Sequence, residues 1–505
     1  MTIDKKVGAQ NENTVPASEW DFCSATKLSE ALQTRKVSAS EFLQHAIARI
    51  EALDKQFNAV VVRDFDRAQK AATEADAALA RGDRRPLLGI PVTLKEAFNV
   101  ADLPTTWGYP EFRDFVPKQD ALLVTRLKEA GAVIIGKTNV PLGLRDFQSY
   151  NDIYGTTSNP WDVSHSPGGS SGGSAAALAA GFGALSFGSD IGGSLRVPAH
   201  FCGVCAHKPT LGLIPLRGYN MPPSPPLPSS GDLAVVGPLA RYASDLALAL
   251  DVIAGPDEAR EGVGYRLALP SPRHDDLRNF RVLVVDTHPL IPTSNVVRTA
   301  IGQLAERLSK FGVTVADTSA LLPNLADSAR LYMRLLGAAI STRMPPDRFA
   351  ETARLAAALT LNDHSLQAER MRGAVMSHRD WIITDGARLQ LQLHWSDLFR
   401  EWDVVIYPSC AVPAFPHDHS EPIEARHLDI DGKAFPFYDV CFTWADPAST
   451  CGLPATAVPI DHSPTDLPIG VQIIGPYLED RTTIAFATML EREFGGFVPP
   501  PLARR

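Results

Sequence analysis

Hydrophobic residues recur with two different periods in the N-terminal part of the chain. The sequence Ser38-Ala-Ser-Glu41 is typical of a helix-capping box, and apolar residues follow it at helical spacing as far as Leu53. Beyond this helix, short apolar runs at 58–62 and 90–94 predict strands, and the alanine-rich stretch 65–80 predicts a helix. Strands that alternate with helices are typical of an α/β layer fold.

The same alternation continues to the end of the chain. Further strands are predicted at 132–135, 281–286, 313–317, 403–409 and 469–475, and further helices at 120–130, 237–255, 295–311 and 480–493. We therefore predict an α/β fold: a single large domain with a mixed, mostly parallel central β-sheet covered by helices. The expected parts are a polar N-terminal tail at 1–24, the main domain at 25–505, its core at about 85–255, a proline-rich surface loop at 217–232 and a helix-rich cover at about 320–400.

Composition narrows the classes of function. The chain has 505 residues, of which 45% are hydrophobic and 21% charged, so it can bury a large core. A net charge of −9 argues against a nucleic-acid partner, because phosphate binding needs a basic surface. The N-terminus has no signal-peptide h-region, and the small-apolar run 175–188 is too short to span a bilayer. We therefore expect a cytoplasmic protein that does not contact a membrane.

Cysteine and histidine motifs do not predict a metal site. Six cysteines are too few for a disulfide framework. Cys202 and Cys205 form a CxxC pair, but no second pair lies at metal-site spacing, so we expect buried thiols. His417-Asp-His419 lies in a proline-rich segment and is expected to be part of a polar loop. Neither a metal nor another cofactor is predicted.

Two short motifs match known patterns without the context that their chemistry needs. Gly131–Thr138 fits the phosphate-loop pattern G-x-x-x-x-G-K-[ST], but an apolar strand occupies the loop positions and Pro141 disfavours the helix that should follow. Gly168–Gly172 fits G-x-S-x-G, but a polar, proline-broken segment precedes it where a buried strand is needed. A nucleotide-binding enzyme and a Ser-His-Asp hydrolase therefore stay as alternatives.

The segment 168–210, GGSSGGSAAALAAGFGALSFGSDIGGSLRVPAHFCGVCAHKPT, resembles the signature of the amidase signature family. Further blocks extend the resemblance over about residues 25–495, in the order of the family: GIPVTLKEAF (89–98), GAVIIGKTN (131–139), YGTTSNPWD (154–162), GPLAR (237–241) and LPIGVQIIGP (467–476). The resemblance implies the amidase signature fold and metal-independent hydrolysis of carboxylic amides. It also accounts for the phosphate-loop match, because GAVIIGKTN is an ordinary block of this family.

The resemblance also implies a catalytic set. Ser194 matches the nucleophile, Ser170 the bridging serine, which follows a cis peptide bond in the family, and Lys95 the base. Serine is a weak nucleophile at neutral pH, and a lysine activates it only where burial keeps the amine neutral. Backbone amides would meet the oxyanion of the tetrahedral intermediate. The resemblance assigns this oxyanion hole to Ile191, Gly192, Gly193 and Ser194.

Neighbouring residues are expected to support this set or to contact the substrate. Asp190 and Arg196 are predicted to form a structural ion pair beside the site. Ser171 and Ser174 are expected to be hydroxyls at the start of a helix. The residues expected to border the substrate are Trp107, Leu144, Asp146 and Phe147.

The expected partner is a small-molecule amide with a hydrophobic or aryl acyl group, and a homodimer is left open. Two alternatives share the fold: a carbamate or ester hydrolase, and a subunit similar to the glutaminyl- and aspartyl-tRNA amidotransferases. The acidic charge and the divergence at 107–112 and 142–146 disfavour the second. A silent binding protein of the same fold is a further alternative, against which the intact catalytic residues argue.

Overall fold

Strands and helices alternate through residues 18–228 and 231–504, which are the residues that the structure, a computed structural model, describes. The first 17 residues of the predicted tail lie outside this part of the chain. The strands are β1 (Val60–Arg63), β2 (Pro91–Lys95), β3 (Val133–Thr138), β4 (Tyr150–Asn151), β5 (Gly155–Thr156), β6 (Leu185–Asp190), β7 (Cys205–Lys208), β8 (Val235–Ala240), β9 (Arg281–Val284), β10 (Thr314–Ala316), β11 (Val404–Pro408), β12 (His427–Ile430), β13 (Lys433–Pro436), β14 (Ala455–His462) and β15 (Pro468–Ile474). The α-helices are α1 (Ala25–Gln33), α2 (Ala39–Phe57), α3 (Phe65–Ala80), α4 (Leu122–Glu129), α5 (Gly172–Ala179), α6 (Arg196–Cys202), α7 (Ala243–Ile253), α8 (Asn295–Phe311), α9 (Leu325–Ser341), α10 (Pro346–Ala358), α11 (Leu366–Ala374), α12 (His378–Glu401), α13 (Phe437–Phe442), α14 (Asp446–Thr450) and α15 (Asp480–Phe494).

One large sheet organises the described part of the chain. It has 11 strands in the order β1-β3-β2-β6-β8-β7-β14-β15-β11-β9-β10. Four of its ten neighbouring pairs are parallel and six are antiparallel. The parallel pairs lie towards the two ends of the sheet. Parallel neighbours need a crossover connection, which α4 provides between β2 and β3 and α8 provides between β9 and β10. The predicted α/β fold with one mixed sheet is confirmed, with the correction that parallel pairs are not the majority.

Local signals place several helices correctly. The Ser38 side chain accepts from the Glu41 amide and the Glu41 side chain accepts from the Ser38 amide, which is the predicted capping box at the start of α2. Helix α8 spans the predicted residues and ends at Gly312, whose φ of 100° favours glycine. Caps and amphipathic spacing therefore specify these helices within short stretches of sequence.

Two strands of the sheet, β6 and β8, do not follow from the hydrophobic pattern. Every residue of both is buried, so neither shows the alternation of a half-exposed strand. The helix predicted at 237–255 is wrong in its first part, because β8 continues to Ala240 and α7 begins only at Ala243. A Cβ on Gly237 would lie 2.3 Å from the carbonyl oxygen of His207 in β7, so this glycine permits close strand approach.

The phosphate-loop alternative is wrong, because the matching residues form β3 inside the sheet. Lys137 is fully buried there, and its Nζ donates to Thr105 Oγ1 at 2.8 Å. A phosphate loop needs open amides ahead of a helix, which an internal strand does not offer. The serine-elbow alternative fails as well, since none of the described residues 157–169 forms the strand that should precede Ser170.

Helices α9–α12 occupy the region where the sequence predicts a helical cover. Helix α9 reaches the turn after β6, where the Tyr332 hydroxyl donates to the carbonyl oxygen of Ile191 at 3.1 Å. Among residues 18–228 and 231–504, no helix is both long and apolar enough to cross a membrane.

Candidate active site

Lys95 ends β2 in the interior, and three serine hydroxyls surround its amine. Its Nζ lies 2.7 Å from Ser170 Oγ, 2.8 Å from Ser189 Oγ and 3.1 Å from Ser171 Oγ. Burial holds the pKa of Lys95 well below its usual range, and the charge of Asp190 opposes this effect only in part. Burial therefore favours the neutral form of the Lys95 amine, whose neighbours are uncharged hydroxyls.

The loop that carries Ser170 lies directly against the turn that carries Ser194. The Ser171 amide donates to the carbonyl oxygen of Ser194 at 3.2 Å. The Gly169–Ser170 peptide bond is cis, as the resemblance implies. Glycine fits at position 169 because a Cβ there would lie 2.3 Å from the carbonyl oxygen of Asp146. The structure thus brings together the residues predicted to be catalytic, Lys95, Ser170 and Ser194.

Ser171 and Ser174 lie at the start of α5 as predicted, with Ser171 at the N-cap position. Ser171 makes no side-chain capping hydrogen bond. Its hydroxyl instead accepts from Lys95 and donates to the carbonyl oxygen of Ser189 at 3.2 Å. The Ser174 hydroxyl bonds to Thr138 Oγ1 at 2.7 Å. The predicted position at the helix start is therefore correct, but the hydroxyls do not cap the helix, and Ser171 bonds to the lysine.

The predicted ion pair between Asp190 and Arg196 is present and fully buried. Arg196 Nη2 lies 2.9 Å from Asp190 Oδ1. The same carboxylate accepts from the amides of Gly193 at 2.8 Å and Leu195 at 3.0 Å. Burial by itself raises the pKa of Asp190, but Arg196 and the two amides lower it to about 2. A permanently charged carboxylate therefore fixes the turn at 190–195.

These hydrogen bonds reduce the predicted oxyanion hole from four amide donors to three. Gly193, one of the four predicted donors, already donates to Asp190. Within the described part of the chain, the amides of Ile191, Gly192 and Ser194 donate to no loop carbonyl and no side chain. These three amides are available to a developing oxyanion. Gly193 instead lets the turn adopt a φ of 101°.

Aromatic rings close one side of the turn that carries Ser194. Phe147, predicted to border the substrate, is 3% exposed, and its ring centroid lies 5.0 Å from that of Phe442 in an edge-on arrangement. A Cβ on Gly192 would lie 2.5 Å from Phe442 Cε1, and one on Gly193 would lie 3.8 Å from Phe147 Cε1. Both rings therefore contact the turn and give it an apolar wall.

The other residues expected to border the substrate make structural contacts. Asp146 forms a buried ion pair with Arg426 at 2.6 Å, because a buried carboxylate needs a partner. Trp107 is fully buried, and its Nε1 donates to the carbonyl oxygen of Ala97 at 3.0 Å. Leu144 is half-buried with a φ of 60° and packs against the core. Asp146 and Trp107 thus have partners within the protein, and substrate contact by them and by Leu144 stays a prediction.

Two residues around the lysine are not among those predicted for the site. Ser189 lies on β6, whose small residues conceal the strand. Tyr219 lies in the proline-rich loop, and its hydroxyl donates to Ser189 Oγ at 2.5 Å. Burial raises the pKa of Tyr219 to about 12, so the hydroxyl stays protonated at neutral pH. Part of a segment predicted to be a surface loop therefore contributes to the site.

The cysteines are free and buried, as predicted for the CxxC pair. Burial raises the pKa of Cys202 and of Cys205, so both are protonated thiols. His419 stacks on Tyr150 with ring centroids 3.8 Å apart. Among the described residues, no group of three or more histidine, cysteine, aspartate or glutamate side chains could hold a metal ion.

Comparison with known proteins identifies the family. A family model described as Amidase matches residues 41–484. The chain belongs to the amidase signature family. Fatty-acid amide hydrolase 2-A of Danio rerio is 31% identical to it, over 94% of this chain and 90% of that protein. A glutamyl-tRNA(Gln) amidotransferase subunit of Anaeromyxobacter sp. (strain K) is 32% identical, over 97% of this chain and 99% of that protein.

Solved structures of family members share the fold. A chain of an inhibitor-bound protein complex, described as revealing the evolutionary origins of an s-triazine catabolic enzyme, has a TM-score of 0.77 and 28% identity, covering 93% of this chain and 98% of that one. A crystal structure of an amidase has a TM-score of 0.74 and 27% identity, covering 94% of this chain and 100% of that one. The chain is therefore an amidohydrolase of the amidase signature family. Family membership alone does not choose the substrate.

Proposed function

We propose that this amidohydrolase cleaves a carboxylic amide through an acyl-enzyme on Ser194, with Lys95 as base and Ser170 as proton relay. The hydrogen bonds of Lys95 carry this proposal. A neutral amine has two N–H donors and one lone pair. Ser171 directs its own proton to the carbonyl oxygen of Ser189 and accepts one N–H from Lys95, and Ser189 accepts the other N–H beside the Tyr219 hydroxyl. The lone pair is left for the Ser170 hydroxyl at 2.7 Å.

The proposed reaction begins with proton transfer along this path. Ser194 Oγ attacks the carbonyl carbon and gives its proton to Ser170, which gives its own proton to Lys95. The carbonyl oxygen becomes an oxyanion that the free amides of Ile191, Gly192 and Ser194 stabilise. When the C–N bond breaks, the proton returns from Lys95 through Ser170 to the leaving amine. Water then attacks the ester carbon by the same path and releases the acid and free Ser194.

The apolar wall supports a hydrophobic or aryl acyl group. Phe147 and Phe442 contact the turn of Ser194, and the half-buried side chains of Ile191 and Phe442 pack against the same core cluster. Apolar surface favours an apolar acyl group, whereas a charged acyl group would lose hydration without a partner. The similarity to a fatty-acid amide hydrolase agrees with this preference.

An amidotransferase-like function is the second candidate, because the chain is 32% identical to a glutamyl-tRNA(Gln) amidotransferase subunit over nearly its whole length. That function would take ammonia from glutamine and would need partner subunits. The two candidates differ in the acyl group at Ser194. A polar amino acid side chain would gain little from the phenylalanine rings.

Ammonia release from acetamide, octanamide, benzamide and glutamine separates these candidates. We expect the wild type to release ammonia fastest from octanamide or benzamide, the Ser194→Ala variant to be inactive, and the Ser174→Ala variant to match the wild type. Ser174 is a suitable control because it is a buried serine of the same segment that bonds to Thr138. Preference for glutamine would favour the amidotransferase candidate. Cleavage of octanoate esters without cleavage of octanamide would favour the esterase alternative.

Turnover by Ser194→Ala at the wild-type rate would contradict the proposed mechanism. No ammonia from any amide, with a correctly folded wild type that also leaves the octanoate ester intact, would favour a silent binding protein.

A further inference from the structure

Tyr332 connects the helical cover to the backbone beside Ser194. It lies on α9, is fully buried, and donates its hydroxyl to the carbonyl oxygen of Ile191 at 3.1 Å. Burial raises the pKa of Tyr332 well above its usual range, so the hydroxyl keeps its proton. The contact is therefore a stable donor–acceptor pair.

The Ile191 carbonyl and the Gly192 amide belong to one planar peptide unit. In a trans peptide the C=O and the N–H point in opposite directions, so holding one fixes the direction of the other. The Gly192 amide is one of the free amides of the turn. By holding the Ile191 oxygen towards α9, Tyr332 turns the Gly192 N–H away from α9.

The hydrogen bond from Tyr332 is needed because the other hydrogen bonds that hold the turn do not act on the Ile191–Gly192 peptide unit. Asp190 holds the amides of Gly193 and Leu195. Glycine at 192 permits a wide range of backbone angles, so the preceding peptide could rotate if its carbonyl were released. No side chain fits at this position, since a Cβ would lie 2.7 Å from the Tyr332 hydroxyl.

We propose that Tyr332 is a positioning residue for the oxyanion hole, whose hydroxyl holds the Ile191–Gly192 peptide so that the Gly192 N–H is directed at the oxyanion. This inference rests on the proposed acyl-enzyme chemistry at Ser194. It gives a residue of the helical cover, a region without a chemical motif, a role in the reaction.

The Tyr332→Phe variant tests this role, with Tyr407→Phe as the matched control. Tyr407 is also fully buried, but its hydroxyl has no hydrogen-bond partner among the described residues. Both substitutions remove one phenol hydroxyl and keep the ring. An octyl fluorophosphonate separates non-covalent binding (KI) from covalent attack by Ser194 (kinact). Octanoyl p-nitroanilide gives the corresponding KM and kcat.

Removing a whole oxyanion donor lowers kcat by about 10²–10³. Loss of its orientation is expected to lower kcat and kinact of Tyr332→Phe by about 10-fold, with KM and KI within about twofold. Tyr407→Phe should keep wild-type constants. Thermal unfolding of both variants checks that the fold is retained.

Three results would overturn the inference. The first is a Tyr332→Phe variant with wild-type kcat and kinact. The second is an increase in KM and KI with unchanged kcat and kinact, which would assign Tyr332 to substrate binding. The third is an equal loss in Tyr407→Phe, which would assign the effect to the core.

Failure of the inference can be told apart from failure of the proposed function. A wild type without labelling at Ser194 would overturn the proposed function and the inference with it, whereas a labelled wild type with an unchanged Tyr332→Phe variant would overturn the inference alone.

Discussion

Ser189 Oγ lies 2.8 Å from Lys95 Nζ and also receives the hydroxyl of Tyr219. The serine therefore accepts from both groups. In the proposed mechanism, an acceptor on this side of the amine leaves the lone pair of Lys95 for Ser170. That mechanism therefore depends on the orientation of Lys95 as well as on its lowered pKa.

Replacing Ser189 tests that orientation. We expect Ser189→Ala to lower kcat by about 10-fold, because the amine loses one of the acceptors that direct its lone pair and misorientation of a base has a large effect on rate. Ser186→Ala is the control, since Ser186 lies on the same strand and bonds to Thr93 at 2.8 Å. Hydrolysis of octanoyl p-nitroanilide measures both variants. Equal rates for Ser189→Ala and wild type would show that the acceptor is dispensable.

The pH dependence of kcat/KM follows from the lowered pKa of Lys95. The base must be neutral, so activity requires a pH above the pKa of Lys95 in the free enzyme. Because burial lowers this pKa well below the usual value of about 10.4, kcat/KM should rise and reach its plateau at a pH well below about 10. A rise that begins only as pH approaches about 10 would contradict a buried neutral lysine.

The free energy of unfolding should depend on the same lowered pKa. A lysine whose folded pKa is lowered binds its proton more weakly in the folded state than in the unfolded state, so it destabilises the fold below its unfolded pKa of about 10.4. The free energy of unfolding of Lys95→Met, relative to wild type, should therefore increase as pH falls from about 10 towards 7, by at most about 1.4 kcal/mol per pH unit. Urea unfolding at both pH values measures this. A pH-independent difference would contradict the lowered pKa.

The turn at Gly192 should not accept a side chain. A Cβ there would lie 2.5 Å from Phe442 Cε1 and 2.7 Å from the Tyr332 hydroxyl. We expect Gly192→Ala to lower kcat by about 10²-fold or more, because displacing the turn moves oxyanion donors. Gly302→Ala is the control, since a Cβ on this helical glycine meets nothing within 4 Å and should stabilise the protein by about 0.5–1 kcal/mol. Wild-type kcat in Gly192→Ala would show that the turn adapts without loss.

Local sequence signals predict the helices with clear caps and the ion pair beside the site. The capping box at Ser38 and the helix that ends at Gly312 are examples, because each depends on residues within a few positions. Strand β6 is not predictable in this way. Its residues LSFGSD are all buried, so periodicity is absent, and the pairing partners lie far along the chain.

Among the active-site residues, some are likewise predicted from sequence motifs and others are placed only by long-range packing. Lys95, Ser170 and Ser194 follow from the resemblance to the family, and the structure brings them together. Ser189 lies on a strand within the signature segment and Tyr332 on a helix without a chemical motif, and neither is predicted for the site because its contacts there depend on long-range packing. Asp146 is the converse case: its sequence position suggested substrate contact, but a distant arginine pairs with it.

The most direct test of Ser194 as nucleophile and Lys95 as base is the intact mass of the protein after treatment with a fluorophosphonate. We expect one adduct on wild type and on Ser174→Ala, none on Ser194→Ala, and slow labelling of Lys95→Ala. Lys208→Met controls for loss of a buried lysine, because Lys208 bonds to backbone carbonyls of Pro209 and Leu453, and it should label normally. An adduct on Ser194→Ala, or wild-type labelling of Lys95→Ala, would contradict the assignment of nucleophile and base.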